Sequence, residues 1–399
     1  MRICGTVGVL LLSMQAAAAQ NSTLTGRVID ERNRPVPYAS VGIKDSQQGT
    51  ATNEVGEFSL RVASLPQQLE VLCIGYGATT LLVSSLAQPL TIRLPTSAVA
   101  LPEVRVRNPE AEARELVQRA SAKLLRHAAE TFYGKAFYRQ KTRNNGTYCE
   151  FFDAFYDVKF NNRQIEGWDL GESRYAVQPG GFTFTNFSAL IRVVLPTFSR
   201  QPKREKLLVP LGPKALAQFD FTLKEIQTSQ GRELAVIQFE PKPDVRQAAP
   251  SGLLYIDRQT AALFRREMTF SAGQLLSLNG VPDMQIEADE FRVVSDYLPL
   301  SDSLTRLAST RAQCHLVMRQ ASGKLDSTHV AANFFFYQYT PRLPGHAYAD
   351  VPRKSKDLQQ VMARPYNPAF WLDNAVLKDS PLDEKLIRDL EGQRVFRRM

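Results

Sequence analysis

The stretch Phe219-Asp220-Phe221-Thr222-Leu223-Lys224 alternates apolar and polar side chains one by one. Successive side chains of a strand point to opposite faces, so Phe219, Phe221 and Leu223 share one face and Asp220, Thr222 and Lys224 the other. That pattern predicts a strand buried on one side. Gln230-Gly231 supplies a turn that joins Phe219–Thr228 to Glu233–Phe239. The same signals recur along the chain. Asn144-Asn145-Gly146 joins Lys135–Arg143 to Thr147–Phe160, and Asp257-Arg258-Gln259-Thr260 joins Leu253–Ile256 to Ala261–Phe270. Further strands are expected at Gln285–Ser295, Ala312–Gln320 and Thr328–Tyr339. In the last of these the run Phe334-Phe335-Phe336-Tyr337 places aromatics on both alternate faces, which suits a strand covered on both sides. Consecutive hairpins predict an antiparallel meander of eight to ten strands. Closing such a sheet hides its edges, whereas curling it halfway, as a half-barrel, leaves a concave apolar surface.

Helical signals flank the sheet. Asn108 is a suitable N-cap and Pro109 suits the first helical position. The stripe Ala113, Leu116, Val117, Ala120, Leu124 and Ala128 then predicts an amphipathic helix over 109–129. A short helix is expected near Asn186–Val194. A terminal one is expected with Ser380 as N-cap, Pro381 in the first turn, Leu382, Leu386, Ile387 and Leu390 on one face and Gly392 as the stop. Residues 109–345 thus read as a large α+β domain built on a long antiparallel sheet, and 346–399 as a C-terminal extension ending in a helix.

Residues 20–108 have a different texture. Short strands are expected at Leu24–Ile29, Tyr38–Lys44, Glu57–Val62, Leu69–Ile74, Thr79–Val83, Leu90–Leu94 and Val104–Arg107. Seven short strands at this spacing predict an antiparallel β-sandwich. In Asn53-Glu54-Val55-Gly56 the Asn bonds local backbone and Gly supplies a positive φ. The ordered set Gly26-Arg27-Val28-Ile29-Asp30, Pro35-Val36-Pro37-Tyr38-Ala39-Ser40-Val41, Gly49 to Phe58 and Ile74-Gly75-Tyr76 resembles the carboxypeptidase-regulatory-like domain. That domain is a transthyretin-like sandwich common in envelope proteins of Bacteroidota. Leu101-Pro102-Glu103-Val104-Arg105-Val106 is similar to its closing strand. The resemblance implies a non-catalytic module in a scaffolding role.

The chain has 399 residues, 44% of them apolar and 22% charged. At about 100–200 residues per domain this predicts two or three domains and excludes an intrinsically disordered chain. Arg2 is the only charge before Asn21. The short apolar core Val7–Leu12 and the run Ala16-Ala17-Ala18-Ala19 then predict a signal peptide over 1–19 and export to the periplasm or outer membrane. The net charge is +9. It concentrates beyond residue 108, with a local cluster at Arg200, Lys203, Arg204 and Lys206 and Lys214 just beyond. A solvated loop explains this cluster, and contact with an anionic membrane surface is the sharper alternative. Nucleic acid is not an expected partner of an exported protein. Cys73, Cys149 and Cys314 remain in the mature chain. Each sits in an apolar or alternating stretch where a free thiol acts as a small hydrophobe, with a Cys149–Cys314 bridge left open.

No motif carries catalysis. There is no G-x-S-x-G elbow, S-x-x-K, phosphate loop or dinucleotide fingerprint. His127-Ala128-Ala129-Glu130 has the H-x-x-E spacing of zinc carboxypeptidases. It also ends an amphipathic helix, where any i,i+3 pair is one turn apart. A third ligand and a general base are missing, because His315, His329 and His346 lack paired acidic spacing. Neither a metal nor a cofactor is therefore expected, and no catalytic residue is assigned. Asp153 and Asp157 are expected on an exposed polar face together with Cys149. The stretch Gly252 to Glu267 is similar to a hairpin of exported half-barrels of the lipoprotein-carrier type. Two functions remain. One is an exported binder whose sheet holds a lipid, acyl chain or apolar peptide. The other is a scaffold that joins envelope proteins.

Overall fold

The computed structural model describes residues 22–97, 99–100, 108–178, 183, 196–199, 207–271, 286–301, 304–320, 322–348, 357–374, 376–393 and 395–396. The leader, the strand at Val104–Arg107, the helix near Asn186–Val194 and the cluster Arg200, Lys203, Arg204 and Lys206 lie outside the described residues. Among the described residues no helix is long and apolar enough to cross a membrane.

The N-terminal part is a sandwich of seven short strands: β1 (Ser22–Asp30), β2 (Ser40–Ile43), β3 (Gly49–Ala51), β4 (Glu57–Val62), β5 (Gln67–Leu72), β6 (Thr79–Val83) and β7 (Leu90–Leu94). They form two sheets, in the orders β4-β1-β7 and β3-β2-β5-β6. Inward side chains of both sheets, among them Leu24, Val28, Val41, Phe58 and Val71, make one buried cluster. Two details differ from the sequence reading. Gly49–Ala51 is a strand, although three residues are too few to show a period. β1 and β7 run parallel, because the chain visits the second sheet between them and returns in the same direction. Gly56 has the expected positive φ, 79°. The Asn53 side chain accepts from the backbone N–H of Val55 and Glu57 and so fixes the turn.

The rest of the chain builds one large sheet. Its strands are β8 (Val99–Ala100), β9 (Thr131–Asn144), β10 (Thr147–Asn161), β11 (Ile165–Val177), β12 (Phe219–Ser229), β13 (Arg232–Pro241), β14 (Ser251–Asp257), β15 (Leu263–Phe270), β16 (Ile286–Pro299), β17 (Thr305–Arg319) and β18 (Leu325–Thr340). The expected hairpins are all present. β11 escaped the sequence reading because Gly167, Gly171 and scattered charges erase its alternation. The spatial order is β11-β10-β9-β18-β17-β16-β15-β14-β13-β12-β8, so the sheet is not a simple meander. The first hairpins run outward from β9, and the last strand returns to pair with β9 on its other edge. Continuous burial from Ala136 to Thr142 explains the central position of β9. Among the described residues the sheet is open, since its end strands β11 and β8 do not pair with each other.

Among the described residues five helices accompany it: α1 (Pro109–Arg126), α2 (Ala215–Gln218), α3 (Asp357–Met362), α4 (Pro368–Asp373) and α5 (Pro381–Gly392). Asn108 caps α1 by accepting from Ala111 N–H at 2.9 Å. Leu116, Val117 and Ala120 of α1 pack against one face of the sheet, here the helix face. That face is filled by the protein itself, with Phe198, Leu208, Val209 and Leu211 packed beside α1 on Phe219, Phe239 and Ile256. α5 begins at Ser380 as expected, in a capping box with Asp383. Its buried side differs, because Asp383 is buried and Leu382 is exposed.

Candidate functional site

The opposite face of the sheet carries the polar chemistry. Strand registry sets Glu267, Val294, Arg311, Asn333, Arg139, Asp153 and Arg174 side by side across seven strands, β15 to β11. Each belongs to a different strand, and directly opposed side chains interact. The result is a charged belt across a face that is otherwise aromatic, with Phe137, Phe155 and Phe335 clustered beside it.

One end of the belt is a buried ion network. Asp153 is fully buried and not on an exposed face, because Arg139 and Arg174 both donate to it at 2.8 Å. Arg139 also donates to Asp383 of α5 at 3.0 Å and pairs with Asp379 at 2.7 Å. Lys141 donates to Asp383 at 2.8 Å and to Glu54 of the sandwich turn at 3.1 Å. Burial opposes the charges of Arg139 and Lys141, but the facing carboxylates outweigh it and keep both cations protonated. Burial likewise works against the Asp383 carboxylate, yet Arg139 and Lys141 bring it down to about 2. The network ties sandwich, sheet and C-terminal helix together. The hydroxyl of Thr50 donating to Val376 O at 2.6 Å and Asn53 donating to Lys378 O at 3.1 Å add to that tie.

Beside the network, a cleft of about 430 Å³ opens between the sandwich and the sheet. Val36, Pro37, Tyr38 and Ile74 form its sandwich wall. Arg265, Arg292, Arg311, Gln313 and Ala331 belong to the sheet wall, and Leu377 also lines the cleft. Arg265 Nε donates to Asp296 at 2.6 Å, and Arg311 donates to the other oxygen of Asp296 at 2.8 Å. Arg292 donates to Glu267 at 3.0 Å. Cys73 also lines the cleft, but burial raises its thiol to about 11, so it is protonated at neutral pH.

The residues singled out from sequence are scattered. His127 Nδ1 lies 2.6 Å from Glu130 Oε1 at the end of α1, and among the described residues no group of three His, Cys, Asp or Glu could hold a metal. Lys214 is exposed. Cys73, Cys149 and Cys314 are free thiols. Apart from Asp153, which reads as a surface residue, the belt residues are not legible in the sequence because they come from strands far apart in the chain. The local sign was a charge next to aromatic neighbours, as at Arg139 beside Phe137 and Tyr138 and at Asp153 beside Phe151 and Phe152.

Comparison with known proteins gives limited likeness. No curated protein matches the chain. A DUF1329-family protein from Desulfovibrio piger is similar in structure at 10% identity, covering 57% of this chain and 93% of its own, with a TM-score of 0.23. A LolA-superfamily protein from Nitrosomonas europaea is similar at 9% identity, covering 60% of this chain and 97% of its own, with a TM-score of 0.17. The match by family is confined to the sandwich. Residues 24–106, which hold the tight Asn53–Gly56 turn and the Phe58 core, match the model of the CarboxypepD_reg-like domain.

Proposed function

We propose that the protein is an exported, non-catalytic component of the cell envelope that binds an amphipathic ligand, a lipid or a peptide, in the cleft between its sandwich and its sheet. The cleft itself carries this reading. Its volume of about 430 Å³ is within the range of about 300–1,000 Å³ usual for small-molecule sites. It has an apolar wall and a polar wall, and the adjoining ion network fixes one wall against the other. The helix face is a poorer host, because α1 and the segment around Leu208 fill it. Export rests on the leader read at 1–19.

A scaffold role is favoured by one observation. Glu54, Lys141 and Asp383 lock three parts of the chain into one body, which suits a rigid adaptor. Native mass spectrometry of gently purified protein separates the two readings. A binder shows a co-purifying mass that disappears in Ala331→Trp, where the exposed Ala331 side chain is replaced by one that fills the cleft. Bare protein in both forms, with unchanged capture of envelope partners, refutes the binder and leaves the scaffold.

A further inference from the structure

We infer that the ligand's polar end is an anion, a carboxylate or a phosphate, gripped by Arg311 and Arg265 at the β15–β17 side of the cleft. The inference deepens the proposed function and rests on the cleft being the binding site.

The first argument is charge. Arg265 and Arg311 share the single carboxylate of Asp296, and the neighbouring Arg292 and Glu267 cancel each other. This side of the cleft therefore holds one positive charge in excess. The other end has the opposite sign, because Arg139, Lys141 and Arg174 face Glu54, Asp153, Asp379 and Asp383. The belt is thus polarised along the cleft, and an anion is drawn to the β15–β17 side. In a site partly withdrawn from water that attraction exceeds its value at an open surface.

The second argument is donor capacity. A guanidinium carries five N–H donors in a planar fork that matches carboxylate and phosphate oxygens. One carboxylate cannot satisfy two such forks. Arg311 Nε is buried with no acceptor among the described residues. The third argument is preorganisation. The Arg311 guanidinium lies 4.5 Å from the ring centre of Tyr38, and that of Arg265 lies 5.6 Å from the ring of Tyr255. Aromatic faces steady both forks without using their donors. Tyr38 takes a left-handed backbone conformation, φ 60°, which is uncommon for an aromatic residue. The apolar remainder of the ligand then meets Val36, Pro37 and Ile74 across the cleft.

The test uses the full mature chain and three probes, decanoate, its neutral methyl ester and inorganic phosphate, with calorimetric titration. Wild-type protein is expected to bind decanoate at least tenfold more tightly than the ester if the anion belongs to an amphiphile. If it belongs to a free anion, inorganic phosphate binds with no gain from an acyl chain. Arg311→Gln is expected to erase the preference for anions by about tenfold. Asp296→Asn, which removes the competing carboxylate, is expected to tighten anion binding. Because these two variants move affinity in opposite directions, a general loss of folding cannot imitate the result. Equal affinity for acid and ester in the wild type, without phosphate binding, overturns the assignment. So does an acid-to-ester ratio unchanged by both variants while Ala331→Trp still abolishes binding, and in that case the cleft remains the site. Decanoate binding that survives Ala331→Trp overturns the cleft reading, and the anion assignment with it.

Discussion

Replacing Asp383 by Asn tests whether the buried ion network holds the three parts of the chain together. Asp383 is 2% exposed and accepts from Arg139 at 3.0 Å, from Lys141 at 2.8 Å and from the backbone N–H of Ser380 at 3.2 Å. Asparagine keeps an acceptor for Ser380, so the helix cap survives, while the charge and the acceptor oxygen facing Lys141 are removed. Breaking a buried pair by deleting one partner typically costs about 3–5 kcal/mol. Arg139 retains Asp153 and Asp379, and Lys141 retains Glu54, so the expected loss is lower, about 2–4 kcal/mol. The lowered carboxyl leads to a similar figure. Holding the Asp383 carboxyl at about 2 against an ordinary 3.8 corresponds to roughly 2 kcal/mol of stability at neutral pH.

The sign follows from the lowered value. The stabilisation is complete above the unfolded value of 3.8 and is lost as pH falls toward about 2. The gap between wild type and Asp383→Asn should therefore narrow through that interval. Urea unfolding, followed by circular dichroism and by Trp fluorescence, measures it, with Trp371 reporting locally because it lies 4.2 Å from the Arg174 guanidinium. Coincident transitions by the two probes license the free-energy difference. A variant within about 0.5 kcal/mol of wild type at pH 7, the range of an ordinary surface change, refutes the reasoning. A gap that stays constant through acid does the same. Asp383→Ala should lose about 1 kcal/mol more, through the cap.

Two further outcomes are expected. Gly56→Ala should destabilise the sandwich by about 2 kcal/mol or more, because a left-handed φ strains any side chain and the added Cβ would sit 2.6 Å from Val28 O. An unchanged midpoint in thermal unfolding of this variant would contradict the turn as described. His329 lies stacked on His315, ring centroids 4.0 Å apart, and partial burial, then His315 and Arg143, lower its pKa below 6.5. Its folded form resists protonation, so its contribution to stability is present above 6.5 and declines as pH falls below it. Titration followed by NMR should give a His329 midpoint under 6.5 that rises in His315→Gln, and a midpoint at or above 6.5 rejects the coupling.

Local patterns determined much of this molecule. Alternation at Phe219–Lys224, the Asn-Gly and Asp-Arg-Gln-Thr turns, the Asn108-Pro109 start of α1 and the Ser380 start of α5 are short-range codes, written in residues that touch one another in the chain. They specified a mostly β protein with a small sandwich, a long antiparallel sheet and a flanking helix. The sandwich motifs also pointed to the domain model that residues 24–106 match, since several spaced turns and core positions had to agree. Tertiary structure decided the rest. β18 pairs with β9 across nearly two hundred residues, and no hairpin signal reaches that far. Asp153 read as a surface residue from its own strand and became a buried anion because Arg139 and Arg174 arrive from the strands on either side. Asp383 likewise sits on the buried side of α5 only because Arg139 and Lys141 await it there. The candidate site is a row across strands and not along one. A sequence records which residues follow one another, whereas charge pairing and a cleft depend on which strands lie side by side, and only the folded sheet fixes that.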